Sequence, residues 1–468
     1  MSGATNSPVT RRSLLGGMAG SVALSALPRA AIPAVNSRDD RDWAALARDV
    51  RAEMAWAWRN YVELAFGRDQ IKPVSGGAEE FFLPSGPGLG LTIVEALDTL
   101  YLMGLDAELE EGVRWIEKNL HFDIDGEVQV FETNIRVVGG LLSGWMATRN
   151  KVLLDRAHEL AERLLPAFAK SPTGIPYRFV NLKSGAVRDA TTFPAELGTY
   201  ISEFGILARA VGDRRYYDCA KRAAKACFDR RSSIDLVADT IDAESGRWLS
   251  RRATIGPPSD SYYEYLYGGW RLFGDPDFKR WYDIHAAAIL KHQAERMDGR
   301  LWFAQVDFEN GARLDRHQSE LAAFYAGLLA KAGDGSHAGD YLQSWADVQA
   351  RYRVLPEGFD YGTFEITRAS NELRPEFVDS CLAVYLHGGG GEHCRRLARV
   401  HYENMKQTSR ARFGYTIIDN VAENPMRQGD LCPGYWWAEQ MKYYWLLFSG
   451  TSHFDYRNNY LSTEGKVL

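Results

Sequence analysis

The sequence predicts an all-α fold in which helical hairpins close into one barrel, and three observations predict it. Past residue 40 the chain reads almost entirely as apolar-periodic segments of helix length, roughly 13–20 residues each, with short connections. Gly-containing helix stops recur about every 60 residues, the length of two helices and their loops, so one supersecondary unit is used repeatedly. In successive units a carboxylate stands in or near the first turn of the second helix.

In chain order, helices are expected to start near residues 42, 90, 107, 131, 152, 196, 216, 260, 277, 316, 338, 374, 391 and 434. The stops are "YLMGLD" at Gly104, "AVGD" at Gly212, "LFGD" at Gly274, "KAGD" at Gly333, "YLHGGG" at Gly388 and "LFSG" at Gly450. Glycine there supplies the left-handed residue that ends a helix. Fourteen helices group into seven hairpins. An open solenoid is the alternative, but its repeats normally resemble one another more closely than these do. The strand-like pieces "IPYRFVNL", "GTFEIT" and "FGYTIID" between helices suit a barrel with one elaborated mouth. A single domain over residues 37–468 is expected.

With 468 residues and 46% apolar content the chain has ample material for a core. Its net charge of −6, with acids and bases well mixed, leaves no broad basic surface for nucleic acid or anionic lipid. The segment "TRRSLLGGMAGSVALSALPRAA" sets Arg11 and Arg12 before an apolar run from about Leu14 to Leu27. That is the pattern of a twin-arginine export signal, expected over residues 1–36, with a single membrane anchor as the alternative. The run is short for a bilayer span. An exported, periplasmic or secreted protein of a bacterium follows, without stable membrane association. Cys219, Cys227, Cys381, Cys394 and Cys432 match neither a disulfide framework nor a zinc site, though one bridge, Cys381–Cys394, is compatible with export.

The acids that open the second helices are Glu132, Glu196, Asp260, Glu320, Glu376 and Glu439, separated by 64, 64, 60, 56 and 63 residues. Any one of them is explained by the helix dipole and the free N–H groups of a first turn. All six together are not. If the helices form an inner ring with their N-termini on one side, the acids converge at one end of the barrel, raise one another's pKa and attract a cation. Two opposed carboxylates, one acid and one base, are the apparatus of glycoside hydrolysis. A hard cation such as Ca²⁺ would take oxygen ligands from the same region. Tyr262, Tyr263, Phe377, Tyr435, Trp436 and Trp437 lie near these acids and are available either to stack on sugars or to pack the core. Other chemistries lack their motifs: there is no HExxH, GxSxG or phosphate loop, and Gly388–Gly391 follows a helix instead of preceding one. "DIDGE" at Asp123–Glu127 lacks most of a calcium loop and is expected to be a turn.

Six stretches, "LTIVEALDTLYLMGL", "FETNIRVVGGLLSGW", "AELGTYISEFGILARAVGD", "SDSYYEYLYGGW", "ELRPEFVDS" and "YLSTEG", together resemble, in order, the class I α-mannosidases of glycoside hydrolase family 47. The resemblance covers nearly everything from about residue 42 to the C-terminus. It implies an (α/α)7 barrel and a Ca²⁺-dependent, exo-acting α-1,2-mannosidase that inverts the anomeric centre. It further implies that Glu132 is the general acid, acting through a water, and Glu376 the general base. Asp260 would be a third acid at the reacting centre, and Thr463 would hold Ca²⁺ through its hydroxyl and carbonyl oxygens. Glu196, Glu264, Arg374, Asp379, Tyr435, Glu439 and Glu464 match sugar-binding or supporting positions, and Asp98 and Arg136 match positions expected to support the acid.

The chain also departs from the family. Many members carry His-Leu-x-Cys-Phe where this chain reads "ELAAFYAG", so Glu320 takes the place of that His, with His317 nearby in sequence. Pro258 and Ser259 stand where some members have a branch-selecting Arg, and "CPGYWW" replaces a Met-Glu-Ser-Phe segment around Tyr435. Two rival readings remain: a mannosyl-glycan-binding relative without activity, and another helical-barrel glycosidase with six hairpins. Retention of Glu132, Asp260, Glu376 and Thr463 speaks against the first, and the seventh hairpin against the second. The expected partner is a mannose-containing oligosaccharide, taken by a monomer.

Overall fold

Two kinds of helix alternate along the chain. The computed structural model describes residues 38–83, 86, 88–449 and 459–468; the leader over residues 1–36 and the Gly450 stop lie outside them. The odd-numbered helices are α1 (Arg38–Ala65), α3 (Asp106–Asn119), α5 (Lys151–Ala169), α7 (Arg215–Phe228), α9 (Pro276–His292), α11 (Gly335–Tyr352) and α13 (Gly391–Thr408). These are amphipathic: α7 buries Tyr216, Cys219, Ala220, Ala223 and Cys227 at three- and four-residue spacing and turns Lys221 and Lys225 outward. The even-numbered helices are α2 (Leu91–Met103), α4 (130–148), α6 (194–211), α8 (Asp260–Phe273), α10 (320–331), α12 (Glu376–His387) and α14 (436–449). They are buried on nearly every side; in α2 only Tyr101 is not fully buried. A helix apolar all round must be surrounded by protein.

The even helices form an inner ring. α2 packs on α4, α4 on α6, α6 on α8, α10 on α12, α12 on α14, and α14 back on α2. Tyr267 of α8 donates to the Lys331 carbonyl of α10 at 2.9 Å and joins the remaining neighbours. Closure of seven inner helices, each backed by an outer one, establishes the barrel and rules out the open solenoid. All fourteen expected helices are present among the described residues.

The hairpin decorations sit before the inner helices, at the N-terminal mouth of the ring. Glu127–Gln129 pairs with Phe179–Asn181, His317–Ser319 with Gly358–Asp360, and Ile418–Asn420 with Arg427–Gln428. "DIDGE" is a turn leading into the first of these strands. The lumen is filled by a second device, the segment 459–468, in which Leu461 pairs with Val467. Tyr460, Leu461, Val467 and Leu468 are buried there, as is Lys466.

Two details differ from expectation. Gly104, Gly212 and Gly274 are left-handed caps, but Gly388 has φ −98° and the left-handed turn falls on Gly389 at φ 74°. All five cysteines are free and buried, so no Cys381–Cys394 bridge forms. A core this extensive closes without one.

Candidate active site

The mouth leads into a cavity of about 220 Å³ lined by residues of α4, α6, α8, α10, α12 and α14 and of the lumen hairpin. Five of the six ring acids line it: Glu132, Glu196, Asp260, Glu376 and Glu439. Glu264, Asp379 and Glu464 add three more carboxylates, against the guanidiniums of Arg136 and Arg374. The convergence follows from helix geometry, because Asp260 and Glu376 are the first residues of inner helices whose N-termini point to one mouth. Glu320 is the exception. It opens α10 but is wholly buried behind the wall, and the cavity meets Leu321 and Phe324 instead.

On one side stands Arg136. Its Nε donates to Glu132 Oε2 at 2.6 Å, and its Nη1 to Glu464 Oε2 at 2.7 Å and Glu95 Oε1 at 3.3 Å. The guanidinium lies between the rings of Phe81 and Tyr435, at 5.4 and 5.5 Å. Burial works against its charge, but Glu464, Glu132 and Glu95 hold its pKa well above the usual arginine value. Helix α4 carries a π-type turn over Thr133–Val138 here, and α14 carries another over Trp436–Gln440; such turns recur at functional sites.

On the opposite side Arg374 donates through Nε to Glu357 Oε1 at 3.1 Å and through Nη2 to Glu372 Oε2 at 2.7 Å. Its guanidinium lies 5.2 Å from the Tyr435 ring, whose hydroxyl donates to the Glu372 carbonyl at 2.6 Å. Tyr435 thus spaces the two arginines apart. At the rim Glu196 accepts from Gln129 at 2.6 Å and from Arg178 at 3.0 Å. Lys331 pairs with Asp379 at 3.5 Å, and Tyr443 donates to Glu439 at 3.0 Å.

Burial raises the proton affinity of these acids, and their neighbours modulate it. Asp260 is pushed up to about 6 by burial against a backbone hydrogen bond from Ser261 and the nearby Arg374. Glu376 rises to about 7, burial outweighing Arg374, with Glu357 and Asp260 adding repulsion. Glu196 and Glu264 also reach about 7, burial leading in both and outweighing Arg178 and Lys331 respectively. Glu439 and Glu464 are raised as well, by burial and by each other or by Glu95. Titratable groups poised near neutrality in a concave site are the mark of acid–base chemistry.

The family description for glycosyl hydrolase family 47 matches residues 53–468. The chain belongs to glycosyl hydrolase family 47. Mouse mannosyl-oligosaccharide 1,2-alpha-mannosidase IB is 33% identical over 430 residues, 86% of this chain and 66% of its own length. Alpha-mannosidase I MNS5 of Arabidopsis thaliana is 31% identical over 446 residues, 90% of this chain and 76% of its own. The chain thus spans about two thirds to three quarters of these relatives. Among solved structures, the alpha-1,2-mannosidase from Trichoderma reesei superposes with a TM-score of 0.82 at 22% identity, over 91% of this chain and 98% of that one. That likeness establishes the shared fold.

Within this family 47 barrel several other expectations resolve. Of the six aromatics near the acids, Tyr435 alone lines the cavity; Tyr262, Tyr263, Phe377, Trp436 and Trp437 are at most 1% exposed and belong to the core. Pro257 and Pro258 form part of the wall beside Asp260. His317 lies on a mouth strand paired with Asp360, outside the cavity lining. Thr463 lines the cavity next to Glu464, on the lumen hairpin. Asp98 accepts from Lys442 at 2.8 Å and from the Val467 backbone at 3.0 Å, and so seats the hairpin.

Some functional neighbours have no simple sequence signal. Glu95 lies mid-helix, away from the first turn, yet joins Arg136 and Lys466. Glu357 and Glu372 come from the connection before α12. Their pairing with Arg374 is spatial, and only the density of acids around "ELRPE" hints at it.

Proposed function

We propose that this family 47 member is an exo-acting α-1,2-mannosidase that removes terminal mannose from oligosaccharides with inversion. The observation that carries the reading is a small cavity with a paired carboxylate, Glu132, on one side and a raised one, Glu376, on the other. About 220 Å³ is below the roughly 300–1,000 Å³ of sites that enclose larger ligands, and it suits one terminal sugar. The α-1,2 linkage comes from the relatives' names.

In this mechanism Glu376 takes a proton from a water as that water's oxygen bonds to the anomeric carbon. The bond from that carbon to the glycosidic oxygen breaks, and the leaving oxygen receives a proton relayed from Glu132 through a second water. Arg136 keeps Glu132 oriented. Asp260, between them in the ring, places negative charge where the sugar develops positive charge. Tyr435 and the two arginines bound the floor, and Glu196, Glu264, Asp379, Glu439 and Glu464 offer acceptors for sugar hydroxyls.

The donor set suits a hard cation. The acids lining the cavity supply oxygens only, and eight carboxylates outnumber two guanidiniums. By the resemblance of "YLSTEG" to the family's terminal motif, Thr463, which lines the cavity, would hold Ca²⁺ together with water and substrate oxygens. When bound, the ion would supply a Lewis-acidic grip on sugar hydroxyls. The further reading of a bacterial, exported protein rests on Arg11, Arg12 and the apolar run after them.

The test is hydrolysis of α-1,2-, α-1,3- and α-1,6-linked mannobioses, with a calcium chelator and after Ca²⁺ is returned. Release from the α-1,2 isomer alone, abolished by chelation and restored by Ca²⁺, is expected. Calcium-dependent retention on a mannan column with no turnover of any isomer would overturn the enzymatic reading in favour of a binding protein.

A further inference from the structure

Glu320 is the ring acid that the mechanism above leaves unused. It is 0% exposed, opens α10, and has its own backbone N–H bound to the Glu357 carbonyl at 3.1 Å. The start of α10 is clasped to α12: Ser380 donates to the Ala323 carbonyl at 2.6 Å and accepts from the Gly327 N–H at 2.8 Å. The first turns of α10 and α12, which carry Glu320 and Glu376, therefore lie side by side.

The hydrogen bonds around it are unbalanced. Glu320 Oε2 accepts from Asn371 Nδ2 at 3.0 Å, whereas Oε1 is buried and has no partner. Glu376 likewise buries Oε2 without a partner, although the residue reaches the cavity. The cation on this side is Arg374, already engaged by Glu357 and Glu372. Two buried carboxylates cannot both stay charged and unpaired beside one committed guanidinium. A single proton between them removes both deficits.

We infer that Glu320 carries a proton and donates it through Oε1 to Glu376 Oε2, making Glu320 the positioning residue of the base. The inference rests on the reading of Glu376 as general base. A hydrogen bond to the buried oxygen favours the charged form of Glu376 and leaves the other oxygen free for the attacking water. The charged and titratable groups near Glu376 are Arg374 just before it, Asp260 of α8, Glu357 in the connection before Gly358, Tyr435 and Glu439 at the start of α14, and Glu320. Arg374 favours its ionised form; Asp260, Glu357 and Glu439 oppose it. Burial and the neighbouring Glu357 and Glu376 push Glu320 far above the ordinary carboxylate range, which agrees with a neutral donor.

Infrared spectra of wild type, E320Q and E376Q at neutral pH test the proton directly. A carbonyl band of a protonated carboxyl should vanish in E320Q and move in E376Q. Persistence of that band in E320Q, or its indifference to E376Q, would overturn the inference. Kinetics give an independent readout. E320Q keeps a neutral donor and should retain the acid limb of the pH profile and kcat. E320L has no donor, so the acid limb should move to higher pH and kcat fall on the order of tenfold at unchanged KM. An acid limb shifted downward in E320Q, as loss of a negative charge would cause, contradicts a neutral Glu320, and wild-type kinetics in E320L contradict its positioning role. If E320L fails to fold, the infrared pair still decides. Failure of the mannosidase reading shows separately, as wild-type protein without turnover.

Discussion

At the scale of single residues, the site is two arginines shared among too many acids. Arg136 meets Glu132, Glu464 and Glu95 within 3.3 Å, so a carboxylate can stand at the edge of an apolar helix because its cation is built one turn away. Replacing Arg136 by Gln should leave Glu95 and Glu464 buried without their common partner. We predict a loss of about 3–5 kcal/mol in thermal or denaturant unfolding, together with a fall in kcat. Replacing Glu376 by Gln removes the proton acceptor, and kcat should drop about 10²–10⁴-fold with little change in KM. With Glu376 near 7 and Asp260 near 6, the base is blocked by protonation on the acid side, so kcat/KM should decline below about pH 7 in a pH–rate profile. "FETNIR" made the Glu132–Arg136 pair legible in the sequence, since the i, i+4 spacing places both on one face. Glu95 was not legible, because a mid-helix Glu reveals nothing of a cation arriving from a different helix.

At the scale of elements, the lumen hairpin is what makes the barrel a site. It brings Thr463 and Glu464 to the cavity floor and is pinned by two buried lysines. Lys442 of α14 donates to Asp98 and to the Gly465 carbonyl; Lys466 of the hairpin lies 3.6 Å from Glu95. Substituting Lys466 by Met should therefore destabilise the protein and weaken any Ca²⁺ dependence of its melting temperature, because the hairpin carrying Thr463 loses its anchor. Gly434 is a second structural device. A β-carbon there would stand 1.6 Å from Glu95 Oε2, so Gly434→Ala should cost about 1–3 kcal/mol in unfolding experiments. Helix starts and most Gly stops were legible, since apolar periodicity and left-handed caps are local properties. The displacement of the turn from Gly388 to Gly389 was not, because a run of four glycines offers the chain several equivalent places to turn. The withdrawal of Glu320 behind the wall was equally hidden: its place in the first turn is the same as that of the lining acids, and the difference lies in the packing of α10 against α12.

At the scale of the whole molecule, seven inner N-termini on one mouth gather more carboxylates than the local cations neutralise. Carboxylates held above their ordinary pKa bind protons more firmly when folded than when unfolded. Stability from that source is present below the unfolded value, near 4.5 for glutamate, and is lost as pH rises through about 7 for Glu376. The metal-free protein should therefore melt at a lower temperature at pH 7.5 than at pH 5.5, and E376Q should flatten that dependence in a calorimetric series. Barrel closure was legible only as a choice between ring and solenoid; the packing of α14 on α2, far apart in sequence, decides it. The central claim is that Glu132 and Glu376 act on a terminal mannose from opposite sides, and it is tested most directly by proton NMR of the first sugar released from α-1,2-mannobiose. Initial appearance of β-mannose, followed by slow mutarotation, is the predicted result. Initial appearance of α-mannose would contradict the account.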